Sequence, residues 1–207
     1  MRSKYMEFKK YLKKIAACDE AIERVGDRTL QQAWDECNRP DWMLWLYKRN
    51  NPNKKTCVKI AIYAAKLCIE NYKNKYPADK RPEEAIAAAE KWLENPSEDN
   101  ARAADAAAYA AETAAATSVD VTRAARVAAD AAIAAAYAAT AAADAYAADV
   151  AAADAAIAAA YAARSAYYAA CAYNTTQAKI ANYIRQLIPT ISIPEQTILV
   201  TREQKNN

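Results

Sequence analysis

Along most of this chain apolar residues recur at intervals of three and four, the period of an amphipathic helix rather than the alternation of a strand. Tyr5, Phe8, Leu12 and Ile15 form one such stripe, with Lys9, Lys10, Lys13 and Lys14 mostly off it, and predict a first helix from about Ser3 to Val25. Gly26 is the left-handed stop that often follows a helix. Thr29 and Gln32 have the spacing of a capping box and open a short helix to about Asn38. Pro40 interrupts it, and Asp41 is the expected cap of the next, Trp42–Lys48. There Trp42, Met43, Leu44, Trp45 and Leu46 follow one another without a polar break, so this element is expected to be covered on every side.

Two polar loops, Lys48–Thr56 and Asn74–Pro82, bracket a helix of about Asn53–Lys75 whose inward face is Val58, Ala61, Ile62, Ala65 and Ile69. Pro82 suits the first helical position, and Glu83 and Glu84 suit the positive end of the dipole. That helix is expected to end at Asn95-Pro96, with Ser97 or Asp99 starting another.

From residue 101 to 173 the pattern nearly vanishes, because 42 of the 73 residues are alanine. Alanine is the best helix former, yet one buried methyl contributes only about 0.8 kcal/mol. Such helices gain tertiary stability by approaching backbone to backbone, near the short end of the usual interaxial range of roughly 8–10 Å. Within the block, Ala128–Ala139 and Ala152–Ala163 are identical, AADAAIAAAYAA. Each copy sets an Asp, an Ile and a Tyr on one stripe: Asp130, Ile133 and Tyr137, then Asp154, Ile157 and Tyr161. At about 100° per residue, copies 24 residues apart would face directions 120° apart on one unbroken helix. If both serve one environment, the chain turns between Thr140 and Asp149; a straight helix from Asp120 to Tyr173 is the alternative. A last helix of about Thr176–Leu187 stops at Pro189, and the β-branched, Pro-containing tail reads as an extended arm.

The fold class is therefore all-α: a multi-helix bundle or array of closely packed Ala-rich helices with a short extended C-terminal arm. One helical domain is expected over residues 1–188, with a mixed-core half (1–96) and an Ala-rich half (97–188), followed by the arm (189–207). A single glycine among 207 residues leaves too little turn chemistry for an all-β fold.

Charge and composition narrow the function. The net charge is +3, divided into +4 over residues 1–100, −3 over 101–173 and +2 over the rest, which is not the dense basic stripe of a nucleic-acid-binding surface. The longest uncharged run, Ser165–Ala178, is 14 residues, short of a membrane span. With no apolar signal-peptide core near the start and five cysteines in no paired spacing, the expected location is the cytoplasm. The chain has no histidine, which removes the commonest general base and metal ligand. No phosphate-binding glycine loop, metal-ligand cluster or nucleophile elbow is present, so neither a cofactor nor a metal is expected.

Candidate binding residues are those whose chemistry stands out from the methyl background. Asp41, Trp42 and Trp45 would make an aromatic slot, and Arg81 before a helix start would hold a phosphate or carboxylate. Asp130, Tyr137, Asp154 and Tyr161, with Asp105 and Tyr109 of the preceding helix, would line a cleft recognising amines, guanidinium groups, sugars or a stacked base. Each has a plainer alternative: a cap, a packed core, or the polar residues that keep an alanine block soluble.

The segments Asp35-Glu36-Cys37, Asp41–Leu46, Arg81–Ile86 and Lys91-Trp92-Leu93, followed by an Ala-rich half, resemble the Imm-5-like immunity proteins, a bacterial and phage-borne helical family. The resemblance spans about Asp27 to Arg164. DWMLWL and RPEEAI are its specific parts, and Asp130, Asp144 and Asp154 stand where the family leads one to expect histidines. It implies a non-enzymatic immunity or counter-defence factor that neutralises a protein toxin or defence effector by direct binding. The alternative is sequestration of a small nucleotide-like signal in a helical pocket; an enzyme using carboxylates or a cysteine is the remaining class. Homo-oligomerisation through the C-terminal arm is a further expectation.

Overall fold

A computed structural model describes residues 4–49, 52–117 and 173–192. Within them lie eight helices and no strand: α1 (Lys4–Lys14), α2 (Asp19–Val25), α3 (Leu30–Glu36), α4 (Pro40–Lys48), α5 (Lys54–Lys75), α6 (Arg81–Glu94), α7 (Glu98–Thr117) and α8 (Tyr173–Leu187). The expected all-α class and close helix packing are what the described residues show. The repeat residues Asp130, Ile133, Tyr137, Asp154, Ile157 and Tyr161, the expected turn at 140–149 and the arm beyond 192 lie outside them.

The predicted first helix is two helices. The chain turns at Ala16, which adopts φ +55°. Ala17 N–H donates to Leu12 O at 2.9 Å and Ala16 N–H to Lys13 O at 3.2 Å, the paired bonds of a Schellman ending with alanine where glycine is usual. A side chain there costs roughly 1–2 kcal/mol in local conformational energy. Cys18 then caps α2 in extended conformation without a side-chain bond, and Gly26 (φ +54°) ends α2 where expected.

The capping box is present in full. Thr29 Oγ1 accepts from Gln32 N–H at 3.3 Å, and Gln32 Oε1 accepts from Thr29 N–H at 2.9 Å. At α4 the expectation is corrected: Pro40 occupies the first helical turn and Arg39 is the cap residue, so Asp41 lies inside the helix. Pro tolerates that position because its missing N–H would have had no intrahelical acceptor.

α5 is the central element. The five residues expected to face inward are buried, and so are Cys57, Ile60, Ala64 and Tyr72, because α6 and α8 both pack against α5. Its start is capped by Asn53 Oδ1, which accepts from Thr56 N–H at 3.0 Å. α5 and α6 form an antiparallel hairpin: Lys73 reaches Glu83 (3.5 Å) near the loop, and Lys66 reaches Glu90 (2.6 Å) seven residues further along each helix. On the far side Tyr63 stacks on Tyr183 of α8, ring centroids 4.1 Å apart.

Among the described helices the most extensive contact is between α6 and α7. Alanine is prominent in it: Ala101, Ala104, Ala108 and Ala111 on α7, and Ala85 and Ala89 beside Trp92 on α6, are all buried. Ser97 Oγ accepts from Asn100 N–H at 3.2 Å and so caps α7 as the sequence suggests.

α8 packs on α4 and α5 through Ile180, Ala181 and Ile184, and its C-terminal end returns to α3. Arg185 Nη1 donates to Trp34 O (3.2 Å) and Cys37 O (2.7 Å), closing the carbonyl end of α3. Trp34 Nε1 donates to Ile188 O (3.0 Å), and Gln31 donates to Pro189 O (3.0 Å) while accepting from Ile191 N–H (3.4 Å). Gln31 thus pairs with the strap after α8 as a neighbouring strand would.

Candidate functional site

A cleft of about 600 Å³ opens among α1, α2, α3 and α4. Phe8 and Leu12 of α1, with Met43 and Leu46 of α4, give it an apolar base. The corner after α1 contributes Ala16, Ala17 and Cys18; α2 contributes Ala21, Arg24 and Val25. Ala33, Trp34, Glu36 and Cys37 form the α3 wall, and Trp42 and Trp45 the α4 wall. The volume lies within the roughly 300–1,000 Å³ of small-molecule sites, which pair an apolar lining with a few fixed polar groups.

Both tryptophans are held by cations. The Arg39 guanidinium lies 4.1 Å from the centroid of Trp42, and that of Arg49 lies 3.6 Å from the centroid of Trp45. Each contact contributes about 0.5–1 kcal/mol and restrains the ring. Trp42 and Trp45 stay half-buried while Met43, Leu44 and Leu46 between and beyond them are buried, so α4 is not covered on every side as its sequence suggests. The two indoles, three residues apart on one helical face, are the part left open to the cleft.

Asp41 is 3% exposed. Arg39 grips it with Nε on Oδ1 (3.0 Å) and Nη2 on Oδ2 (2.8 Å), the bidentate geometry that compensates a buried carboxylate. Arg28 donates Nε to Glu36 Oε2 at 2.7 Å and Nη1 to the Arg24 carbonyl at 3.0 Å. Burial pushes the Cys37 thiol up from its ordinary value, opposed in part by Arg24 and Arg185. Its neutral form is therefore favoured, and a neutral thiol is a poor nucleophile.

The sequence candidates divide sharply. Asp41, Trp42 and Trp45 come together in the cleft. Arg81 does not: its Nε and Nη2 both donate to Asp79, at 2.9 and 2.8 Å, and Tyr72 Oη donates to the same carboxylate at 2.8 Å. The anion expected for Arg81 is thus supplied from within the chain. Arg81 and Tyr72 hold the Asp79 carboxyl at about 2, while burial and Asp79 keep the Tyr72 phenol protonated. Asp105 and Tyr109 are exposed on α7, Tyr109 at 67%. Asp130, Tyr137, Asp154 and Tyr161 lie outside the described residues.

Sequence reasoning missed Arg24, Arg28, Glu36 and the whole α1–α2 wall. Only the bend at Ala16 brings α2 beside the α4 tryptophans, and alanine gives no signal of a bend. Among the described residues no group of three or more Cys, Asp or Glu is placed to hold a metal ion, and no helix is long and apolar enough to cross a membrane. No family model, curated protein or solved structure matches the chain.

Proposed function

We propose that this chain is a non-enzymatic binding protein that sequesters a small, largely apolar molecule in the cleft between α1 and α4. The observation that carries the reading is the pair of restrained indoles, Trp42 and Trp45, standing half-open on a cleft of about 600 Å³ with an apolar base. Rings fixed before binding lose little freedom when a ligand arrives, and this favours affinity. The carboxylates of the lining are engaged by arginines and Cys37 favours its neutral form, so the site is built for holding rather than for proton or group transfer. Sequestration would suit the immunity or counter-defence role implied by the resemblance to Imm-5-like proteins. It is preferred to capture of a protein toxin because the exposed large apolar side chain among the described residues is Tyr109 alone, against the cluster of anchors a protein interface needs.

The test is a fluorescence titration of the full chain with neutral phenylnaphthylamine, a probe that brightens in apolar surroundings. One saturable site is expected, abolished by Ala21→Trp, which fills the cleft from its rim. Absence of saturation, or binding unchanged in a folded Ala21→Trp variant, would refute the proposal.

A further inference from the structure

Both carboxylates that line the cleft already have arginine partners. Glu36 is taken by Arg28, and Asp41 by Arg39. Glu20 also reaches Arg39, at 3.2 Å, but from outside the cleft, where it is 71% exposed and screened by water. Arg24 remains. It lines the cleft, and among the described residues its side chain has neither a carboxylate partner nor a hydrogen bond. It shares the cleft lining with Glu36 and Cys37 of the α3 wall, and its charge favours the thiolate form of Cys37 against burial. Arg185, the other cation acting there, is occupied by the Trp34 and Cys37 carbonyls and by Asn182 Oδ1 (2.6 Å). Arg24 therefore has the five donors of a guanidinium free for something from outside.

We infer that the ligand is an amphipathic monoanion, a flat apolar body with one carboxylate or sulfonate-like group, its body against Trp42 and Trp45 and its charge on Arg24. This rests on the binding role proposed for the cleft and specifies its ligand class. The apolar base fed by Phe8, Leu12 and Met43 fits the body, and Arg24, which among the lining cations lacks a carboxylate partner in the described residues, fits one charge. A polyphosphate would bring several negative charges to a lining in which Arg28 is already engaged by Glu36, so most of them would go unmatched.

The test compares two probes of nearly the same shape, neutral phenylnaphthylamine and anionic anilinonaphthalene sulfonate, on the full chain. The sulfonate should bind more tightly at low salt. Arg24→Gln should weaken it about tenfold, the scale of a charge-assisted hydrogen bond, and leave the neutral probe within about twofold. Arg24→Lys should recover most of the loss, and Glu36→Gln, by releasing Arg28, should tighten the sulfonate several-fold. Equal affinity for both probes, or an Arg24→Gln effect shared by both, would overturn the anion assignment while the cleft keeps its role. Failure of both probes to bind would overturn that role and this inference together. Thermal midpoints of the variants, expected to stay at the parent value because Arg24 is exposed, separate lost binding from lost folding.

Discussion

Replacing Ala104 tests the idea that α7 meets α6 closely through its alanine face. Ala104 is completely buried, whereas Ala106, two residues on, is exposed on the same helix. Ala104→Gly removes one buried methyl, about 0.8 kcal/mol, and carries the helix-propensity penalty of glycine, about 1 kcal/mol. Ala106→Gly carries the propensity penalty only. The difference of about 0.8 kcal/mol is the methyl's contribution to packing. Ala104→Leu asks the opposite question. Three further carbons must enter an interface already filled by Ala101, Ala108, Ala85 and Ala89, and overpacking of this kind costs about 1–3 kcal/mol. Ala106→Leu costs a few tenths, since leucine is nearly as good a helix former. Urea denaturation followed by far-UV circular dichroism measures all four, with unchanged slopes licensing the comparison. If Ala104→Leu costs no more than Ala106→Leu, the helices are not in backbone-close contact and the reasoning about the alanine face is wrong.

Removing the strap's anchor is expected to be costly as well: Trp34→Phe leaves the Ile188 carbonyl without its donor and loses part of a 2%-exposed ring, for about 2–3 kcal/mol, whereas Gln31→Ala at the half-buried edge of the strap costs about 1; chemical denaturation ranks them. The Asp79 cluster gives a pH signature. Its carboxyl is depressed to about 2 from 3.8, so its stabilisation is complete above about pH 4 and disappears as the pH falls through 2. The size is about 1 kcal/mol, because Arg81 is 42% exposed and solvent screens the pair. Asp79→Asn should flatten this acid limb in urea titrations at pH 6, 4 and 2; an unchanged limb would mean that other carboxylates carry it.

What could be read from the sequence was local. The Thr29–Gln32 box, the Gly26 stop, the Ser97 cap and the inward face of α5 depend on residues within a turn or two of one another, and all are present. Two features escaped for physical reasons. The corner at Ala16 uses the poorest marker of a left-handed turn, a residue that elsewhere in this chain builds helix. The second is Asp41, whose identity suits a cap; Pro40 moved the helix start two residues earlier, and Arg39 then closed on the carboxylate from two residues away. The cleft inherits both. Its tryptophans were visible in DWMLWL, but the wall opposite them was not, since it exists only because α1 and α2 are separate. Arg81 shows the converse error: its preceding Asp79 was within sight, and a two-residue separation is enough for a bidentate pair.

The bond from Trp34 to Ile188 joins residues 154 apart in the chain, and those from Gln31 span still more. At roughly 5–20 residues per second of synthesis, α3 must wait about 8–30 s for its fastening to be made. During that interval the α3 wall of the cleft lacks its bond to the strap, and on the binding role proposed above the nascent protein would be a poorer receptor. On the binding role proposed above, capture would begin as a step, once the strap after α8 has been made, so that a product truncated before Ile188 would not draw on the pool of free ligand.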